Sequence, residues 1–276
     1  MKKRLPTIIL ILVFLTGLSL VMYPTVSDWW NSFHQSRAIA DYAQNIKNLD
    51  REHYERLLSS AKAYNETLCQ KSNRYHLSAE EAEEYNSLLD ISGTGIMGYI
   101  EIPKIKVSLP IYHGTRESVL SIAIGHIEGS SLPVGGESTH CVLSGHRGLP
   151  SAKLFSNLDK LSEEDTFLIR TLDEMLTYEV DQIRIVEPQE VSSLAIEEGK
   201  DYCTLVTCTP YGINTHRLLV RGHRIENTQE AEAVRVTSDA LQIDPVLVAP
   251  IVAIPMIVLL LILLFVKSGK KKPDGR

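Results

Sequence analysis

Residues 203–212 read Cys-Thr-Leu-Val-Thr-Cys-Thr-Pro-Tyr-Gly, and a few residues later Arg217 opens the run Arg-Leu-Leu-Val-Arg-Gly. Cys203 to Thr207 is strand-like, while Pro210 and Gly212 turn the chain sharply. Arg217 to Arg221 then reads as a second strand, pairing with the first across a seven-residue turn. The hairpin leaves the thiol of Cys208 at a strand end beside a loop, where a substrate can reach it. Upstream, the strand-like run Thr139 to Leu143 ends in the polar turn Ser144-Gly-His146-Arg-Gly, so His146 also stands at a strand end.

Further strand signals surround these two. Gly98 to Tyr112 alternates apolar with polar residues, and Thr166 to Arg170, Met175 to Val180 and Gln182 to Val186 follow. Pro110, Gly135-Gly136, Pro150 and Pro210 punctuate them. Short strands with frequent turns predict an antiparallel-rich barrel or sandwich over residues 91–226. Residues 24–90 read as helical instead. Ile39, Tyr42, Ile46 and Leu49 form one apolar stripe, and Tyr54, Leu57, Leu58, Ala61, Tyr64 and Leu68 form another after a polar break at Asp50-Arg51-Glu52. Ser78 and Glu81 have capping-box spacing, which predicts a further helix to about Leu89. Cys69 to Leu77 is the polar connector between them. No internal repeat is present.

Both ends of the 276-residue chain are apolar and flanked by basic residues. Ile8 to Met22 follows Lys2, Lys3 and Arg4; Val246 to Val266 lacks charges and precedes Lys267, Lys270, Lys271, Lys272 and Arg276. About 20 helical residues cross a bilayer, so 246–266 is expected to span the membrane. Residues 1–23 suit a signal peptide or an uncleaved signal-anchor, and the lack of small residues at Leu20-Val-Met-Tyr-Pro24 favours the anchor. The positive-inside rule then puts both basic ends, including the tail 267–276, in the cytoplasm. The expected arrangement is multi-pass at the cell membrane, with residues 24–245 outside and 227–245 as a spacer. That exported part carries 20 Lys and Arg against 33 Asp and Glu, a net of −13. Such acidity argues against nucleic acid as a partner. Four cysteines in so long an exported region are too few to build a disulfide scaffold, so a hydrophobic core must hold it.

A cysteine attacks as its thiolate, which a nearby imidazole can stabilise or generate. A fixed arginine charge can stabilise the oxyanion that develops on the attacked carbonyl. Cys208, His146 and Arg217 supply these groups. Taken singly, each has a plainer reading: a packed cysteine, a surface histidine, a solvated arginine. His126, His140, His216 and His223 compete for the role of base, but His216 neighbours Arg217 on a strand and so faces the other way. No pairing of these residues suggests a metal site, and no cofactor is expected.

Thr204-Leu-Val-Thr-Cys208 followed by Arg217 in Arg-Leu-Leu-Val-Arg-Gly, together with Ser144-Gly-His146-Arg-Gly, resembles the active-site signature of the sortases. Gly98-Tyr-Ile-Glu-Ile-Pro-Lys-Ile, Gly125-His-Ile-Glu-Gly-Ser-Ser-Leu-Pro-Val-Gly-Gly, Gly145-His-Arg-Gly-Leu-Pro-Ser-Ala-Lys-Leu-Phe and Cys208-Thr-Pro-Tyr-Gly-Ile-Asn-Thr-His-Arg are closest to the class C, pilus-building subgroup. The resemblance covers residues 90 to 266. It implies a mainly β fold, a closed eight-stranded sortase-type barrel, and a transmembrane helix at each end. It also implies a cysteine transpeptidase. Cys208 would attack the Thr–Gly carbonyl of an LPXTG-type sorting signal on a pilin or surface protein. A lysine amine of the next pilin subunit would then resolve the thioacyl enzyme, with His146 as acid and base and Arg217 on the oxyanion.

One feature departs from that subgroup, whose members often carry an Asp-Pro-aromatic lid over the cysteine. Glu66 to Leu77 contains no Asp-Pro pair, so either this segment is a lid with Tyr75 or His76 as its plug, or the site is open. Cys141 and Cys203 each lie five residues before a key residue, so on neighbouring parallel strands they would sit level as buried free thiols or, less favoured, a disulfide. Alternatives to pilus assembly are attachment of surface proteins to a peptidoglycan amine, a hydrolytic cysteine protease, and a non-enzymatic membrane scaffold that captures pilins.

Overall fold

A computed structural model describes residues 5–71, 73–227 and 257 of the chain. The chain divides into one unit of residues 1–236 and another of residues 237–276. The expected spacer after residue 227, membrane helix at 246–266 and basic tail lie outside the described residues, apart from Ile257.

Helix α1 runs unbroken from Leu5 to Lys47, α2 from Arg51 to Leu68, and α3 from Ala79 to Ser87. The apolar segment and the first helical stripe after residue 23 lie on one continuous rod, and Pro24 sits inside it. Asp50 ends the rod and starts the next helix, its carboxylate accepting from the backbone N–H of His53. The capping box at Ser78 and Glu81 forms as expected. A four-residue helix, α4 (Glu117–Leu120), follows the first two strands.

Eight strands close into a barrel: β1 (Ile96–Ile102), β2 (Val107–His113), β3 (Ile124–His126), β4 (Thr139–Ser144), β5 (Thr166–Thr171), β6 (Glu174–Val186), β7 (Asp201–Thr209) and β8 (His216–Ile225). Their order around the barrel is β1-β2-β3-β4-β7-β8-β6-β5. Most neighbours are antiparallel, but β2–β3 and β4–β7 are parallel. The single run expected over 98–112 is two strands, because Pro103-Lys-Ile105 turns the chain and Lys106 takes a left-handed φ of 53°. Pro110 lies within β2 rather than at a turn. Tyr99 of β1 pairs with it on one side, but β3 pairs with β2 only from Ile111, so no ladder strand flanks the proline on the other. The runs expected at 175–180 and 182–186 are one strand. Its alternation breaks at a bulge beside Asp181, whose carboxylate takes both Nε and Nη2 of Arg221.

Alternation decides what lies inside. Cys141 and Leu143 of β4, Cys203 and Leu205 of β7, and Leu218 and Val220 of β8 join the interior core with Phe155, Phe167 and Tyr178. The intervening Val142, Val206 and Leu219 form a second, smaller cluster with Leu194 on the outer wall. The helices are tied to the barrel by buried polar pairs. Tyr42 of α1 donates to the Met97 carbonyl and accepts from the Leu172 N–H. The amide of Asn65 in α2 meets both the carbonyl (3.1 Å) and the N–H (2.7 Å) of Leu132, as a strand neighbour would.

Asn65→Ala leaves the Leu132 N–H without a partner away from water, while the Leu132 carbonyl keeps the Val134 N–H (2.8 Å). It should cost about 1–3 kcal/mol, and thermal unfolding of the detergent-solubilised chain should show a midpoint lowered by about 2–4 °C for each of those kcal/mol.

Candidate active site

β7 lies between β4 and β8, and its register with each places the candidate residues. Cys208 and Arg217 are direct partners across the antiparallel β7–β8 pair. Ser144 pairs with Val206 across the parallel β4–β7 ladder, and Gly145 continues it by donating to the Val206 carbonyl at 3.0 Å. His146 follows directly, in the turn beyond the end of β4 and on the same side of the barrel end as the end of β7. Cys208 shares a face with Val206, Arg217 with Leu219, and His146 continues the side of Val142 and Ser144. All three therefore belong to the outer wall, above the small apolar cluster. His216 falls on the opposite face from Arg217, as strand alternation requires, and its ring contacts Thr215. The connection between the strands is residues 210–215, one residue shorter than expected because β7 extends to Thr209.

The histidine turn is braced on several sides. Thr207 Oγ1 donates to the Gly145 carbonyl (2.7 Å), and the His146 carbonyl accepts from the Phe155 N–H (3.2 Å). A Cβ on Gly145 would collide with Ile124 and Phe155, so only glycine lets the turn pack this closely. Arg147 reaches Asp159 at 2.6 Å and Thr209 at 3.3 Å, joining the histidine turn to the end of β7. The imidazole Nε2 of His146 stands 3.3 Å from Oε2 of Glu117, a carboxylate at the start of α4 that sequence reasoning did not single out. Nothing in the local sequence marks it, because α4 is brought there by the β2–β3 crossover. The guanidinium of Arg217 donates to the carbonyls of Asn214 (3.3 Å) and His216 (3.1 Å), which curl the β7–β8 turn back on it. Cys208 is half-buried and is a free thiol.

The competing histidines serve other purposes. His126 is fully buried inside, held by Tyr85 and by Ser131. His140 bridges Thr204 of β7 and the Ala195 carbonyl at 2.7 Å each, fastening the β6–β7 loop as a side wall of the groove. Burial pushes its pKa down to about 4, so it stays neutral and structural. Cys141 and Cys203 are register partners on the parallel strands, and both are buried free thiols. Burial pushes the Cys203 thiol up, and its hydrogen bond to Cys141 adds to this; at Cys141 hydrogen bonds to Cys203 and His126 oppose burial and lower the pKa. An ionisable thiol sealed inside the barrel meets no substrate, so access selects Cys208.

The segment 66–77 divides into a helix end and a connector, since α2 continues to Leu68. Within the connector, Arg74 donates to the Leu194 carbonyl at 2.6 Å and covers the Tyr75 ring. The Arg74 backbone lies against Gly129, where any Cβ would clash. These contacts put the connector beside Leu194, at the edge of the outer apolar cluster with Val206 and Leu219. Exposed Cys69 contacts the Ser138 carbonyl.

Residues 100–225 match the family model for the sortase domain. The chain is 31% identical over 131 residues to Sortase D of Bacillus subtilis, covering 46% of this chain and 63% of that protein. It is 30% identical over 138 residues to Sortase A of Streptococcus agalactiae, covering 49% and 55%. The chain thus spans under two thirds of the length of these curated relatives. Among solved structures, sortase C1 from Streptococcus agalactiae is 55% identical with a TM-score of 0.68, over 70% of this chain and 100% of that one. Sortase C of Streptococcus pneumoniae is 42% identical with a TM-score of 0.61, over 70% and 98%.

Exposure sorts the four cysteines into two classes. Brief alkylation of the folded chain should modify Cys69 and Cys208 and spare Cys141 and Cys203, with all four modified after unfolding; peptide mass analysis reads the pattern.

Proposed function

The chain belongs to the sortase family, and from that premise we propose that it is a membrane-held cysteine transpeptidase acting on the outer side of the membrane. The observation that carries this reading is the pairing of Cys208 with Arg217 across β7 and β8, with His146 in the turn that leaves the neighbouring strand β4. The Cys208 thiolate attacks the threonine carbonyl of an LPXTG-type signal, and Arg217 stabilises the oxyanion. The Thr–Gly bond breaks as His146 gives a proton to the leaving glycine amine. An incoming amine loses its proton to His146, attacks the thioester, and releases the Cys208 thiolate with a new amide bond. Val142, Val206 and Leu219 give the groove an apolar floor below the thiol, which suits the leucine and proline of the signal.

We further propose a lysine amine of a pilin subunit as the acceptor, so that repeated cycles polymerise pilins. The support is likeness to class C sortases, among them sortase C1 of a Streptococcus agalactiae pilus island at 41% identity. Attachment to a peptidoglycan amine uses the same residues and differs only in the amine. The connector around Arg74 and Tyr75 acts as the cover of the groove despite lacking Asp-Pro, held by its contacts with Leu194 and Gly129.

The detergent-solubilised chain, given an LPXTG-type peptide with either a lysine-bearing pilin peptide or a peptidoglycan-type amine, should form the pilin conjugate in excess by mass analysis. Preference for the peptidoglycan amine would overturn the pilin reading. Cys208→Ala should abolish both cleavage and transfer, whereas a capturing scaffold would be unaffected. Arg217→Lys should lower kcat/KM by about 10²–10³, in the range for losing one oxyanion donor. Arg74→Ala should speed alkylation of Cys208, and an unchanged rate would argue against a cover.

A further inference from the structure

Helix α1 meets the barrel in a definite order. Asp28 accepts from the Lys153 backbone N–H (2.9 Å) and pairs with its ammonium (3.1 Å). Asn31 donates to the Ser151 carbonyl, Gln35 to the Ile122 carbonyl, and Tyr42 to the Met97 carbonyl. The α1 residues nearest the apolar run thus hold the loop that follows His146, and the farthest hold the beginning of β1. β4 and β7 both run toward that loop. The barrel end bearing Cys208 is the end from which the apolar helix departs.

Those contacts occupy one helix face, because 28, 31, 35 and 42 recur at spacings of three, four and seven. The opposite face carries Tyr23, Val26, Trp30 and Phe33, all exposed, with Trp29 beside them. This stripe continues the wholly unburied apolar stretch without interruption. From Ile8 to Trp29 the helix rises about 32 Å at 1.5 Å per residue, matching a hydrocarbon core of about 30 Å. Tryptophan and tyrosine concentrate where such a core meets water. Trp29 and Trp30 thus stand where such a span would meet water, beside the Asp28–Lys153 pair.

The rim of the candidate site carries a second exposed apolar group. Tyr211 and Ile213 of the β7–β8 turn are 62% and 67% exposed. The Tyr211 ring lies so close to Gly148 that an added Cβ would meet it at 3.0 Å. The loop that α1 grips near the membrane thus also carries the turn that presents these side chains.

We propose that the barrel sits with its Cys208 end on the bilayer surface, with Trp29, Trp30, Tyr211 and Ile213 in the head-group layer. Lipid is the occupant of this surface, because the stripe is continuous with a membrane-length helix and has an interfacial aromatic composition.

The seating can be tested without any enzymatic readout. Trp29 and Trp30 are the chain's two tryptophans, so their emission reports the site directly. The full chain is reconstituted in phosphatidylcholine–phosphatidylglycerol vesicles carrying bromine either near the head group or near the acyl-chain ends. Shallow bromine should quench at least about twofold more than deep bromine, as an interfacial position requires. In a Trp29→Phe, Trp30→Phe background, Ile213→Trp should show the same shallow quenching. Glu198→Trp should escape it, being exposed in the loop that leads into β7 at the opposite end. Should Ile213→Trp not fold, Tyr211→Trp takes its place. Equal quenching at 213 and 198 would overturn the seating, as would stronger deep quenching of Trp29 and Trp30. Absence of quenching at both native tryptophans would overturn it too, because a second copy or residues 246–266 would then cover the stripe.

Discussion

The double register of β7 is the constraint on which the rest of the site depends. Its parallel ladder to β4 and its antiparallel ladder to β8 fix three strand ends relative to one another. A slip of one residue in either ladder would turn the affected side chains from the outer wall into the core. The interior partners Cys141, Cys203, Leu205 and Val220 are too well buried to permit such a slip. Core packing on the inner face thus positions the thiol, imidazole and guanidinium on the outer one.

The barrel also separates two thiol environments that composition alone treats alike. Cys141 and Cys203 lie level inside, where hydrogen bonding to each other and to His126 changes their ionisation without giving them a substrate. Cys208 lies just past the point where the sheet meets a loop, partly open to solvent. Its neighbours are held from below by Thr207 on Gly145 and from the side by Arg147 on Thr209. Rigid backbone support under a reachable thiol is what a covalent catalyst needs.

The long α1 rod is the link from this site to the membrane in the proposed seating. Since one helix runs from Leu5 to Lys47, the height of the barrel above the bilayer would follow from where the rod touches it. Asp28 and Asn31 touch the histidine loop itself. A flexible tether would have left that height undefined; a continuous helix does not.

Much of this was legible in the residue pattern. Alternation located most strands, Ser78 and Glu81 marked a helix start, and the spacing of Cys208, His146 and Arg217 identified the three side chains. Local pattern failed where a tertiary partner overrode it. Pro110 lies in a strand because β3 does not yet flank it on the side away from β1, and Asp181 interrupts alternation because it bulges toward Arg221. The apolar run did not announce that it continues into the exported helix, since barrel contacts at Asp28, Asn31 and Tyr42 select that rigid continuation. Glu117 beside His146, and the level placement of Cys141 with Cys203, depend on crossovers between strands distant in sequence. The sequence by itself determined which side chains are candidates for the chemistry, because residue type and strand-end position are local properties. Which of them meet, on which wall and at what height above the membrane was decided only by the tertiary structure, because register and helix docking are set by contacts between segments far apart in the chain.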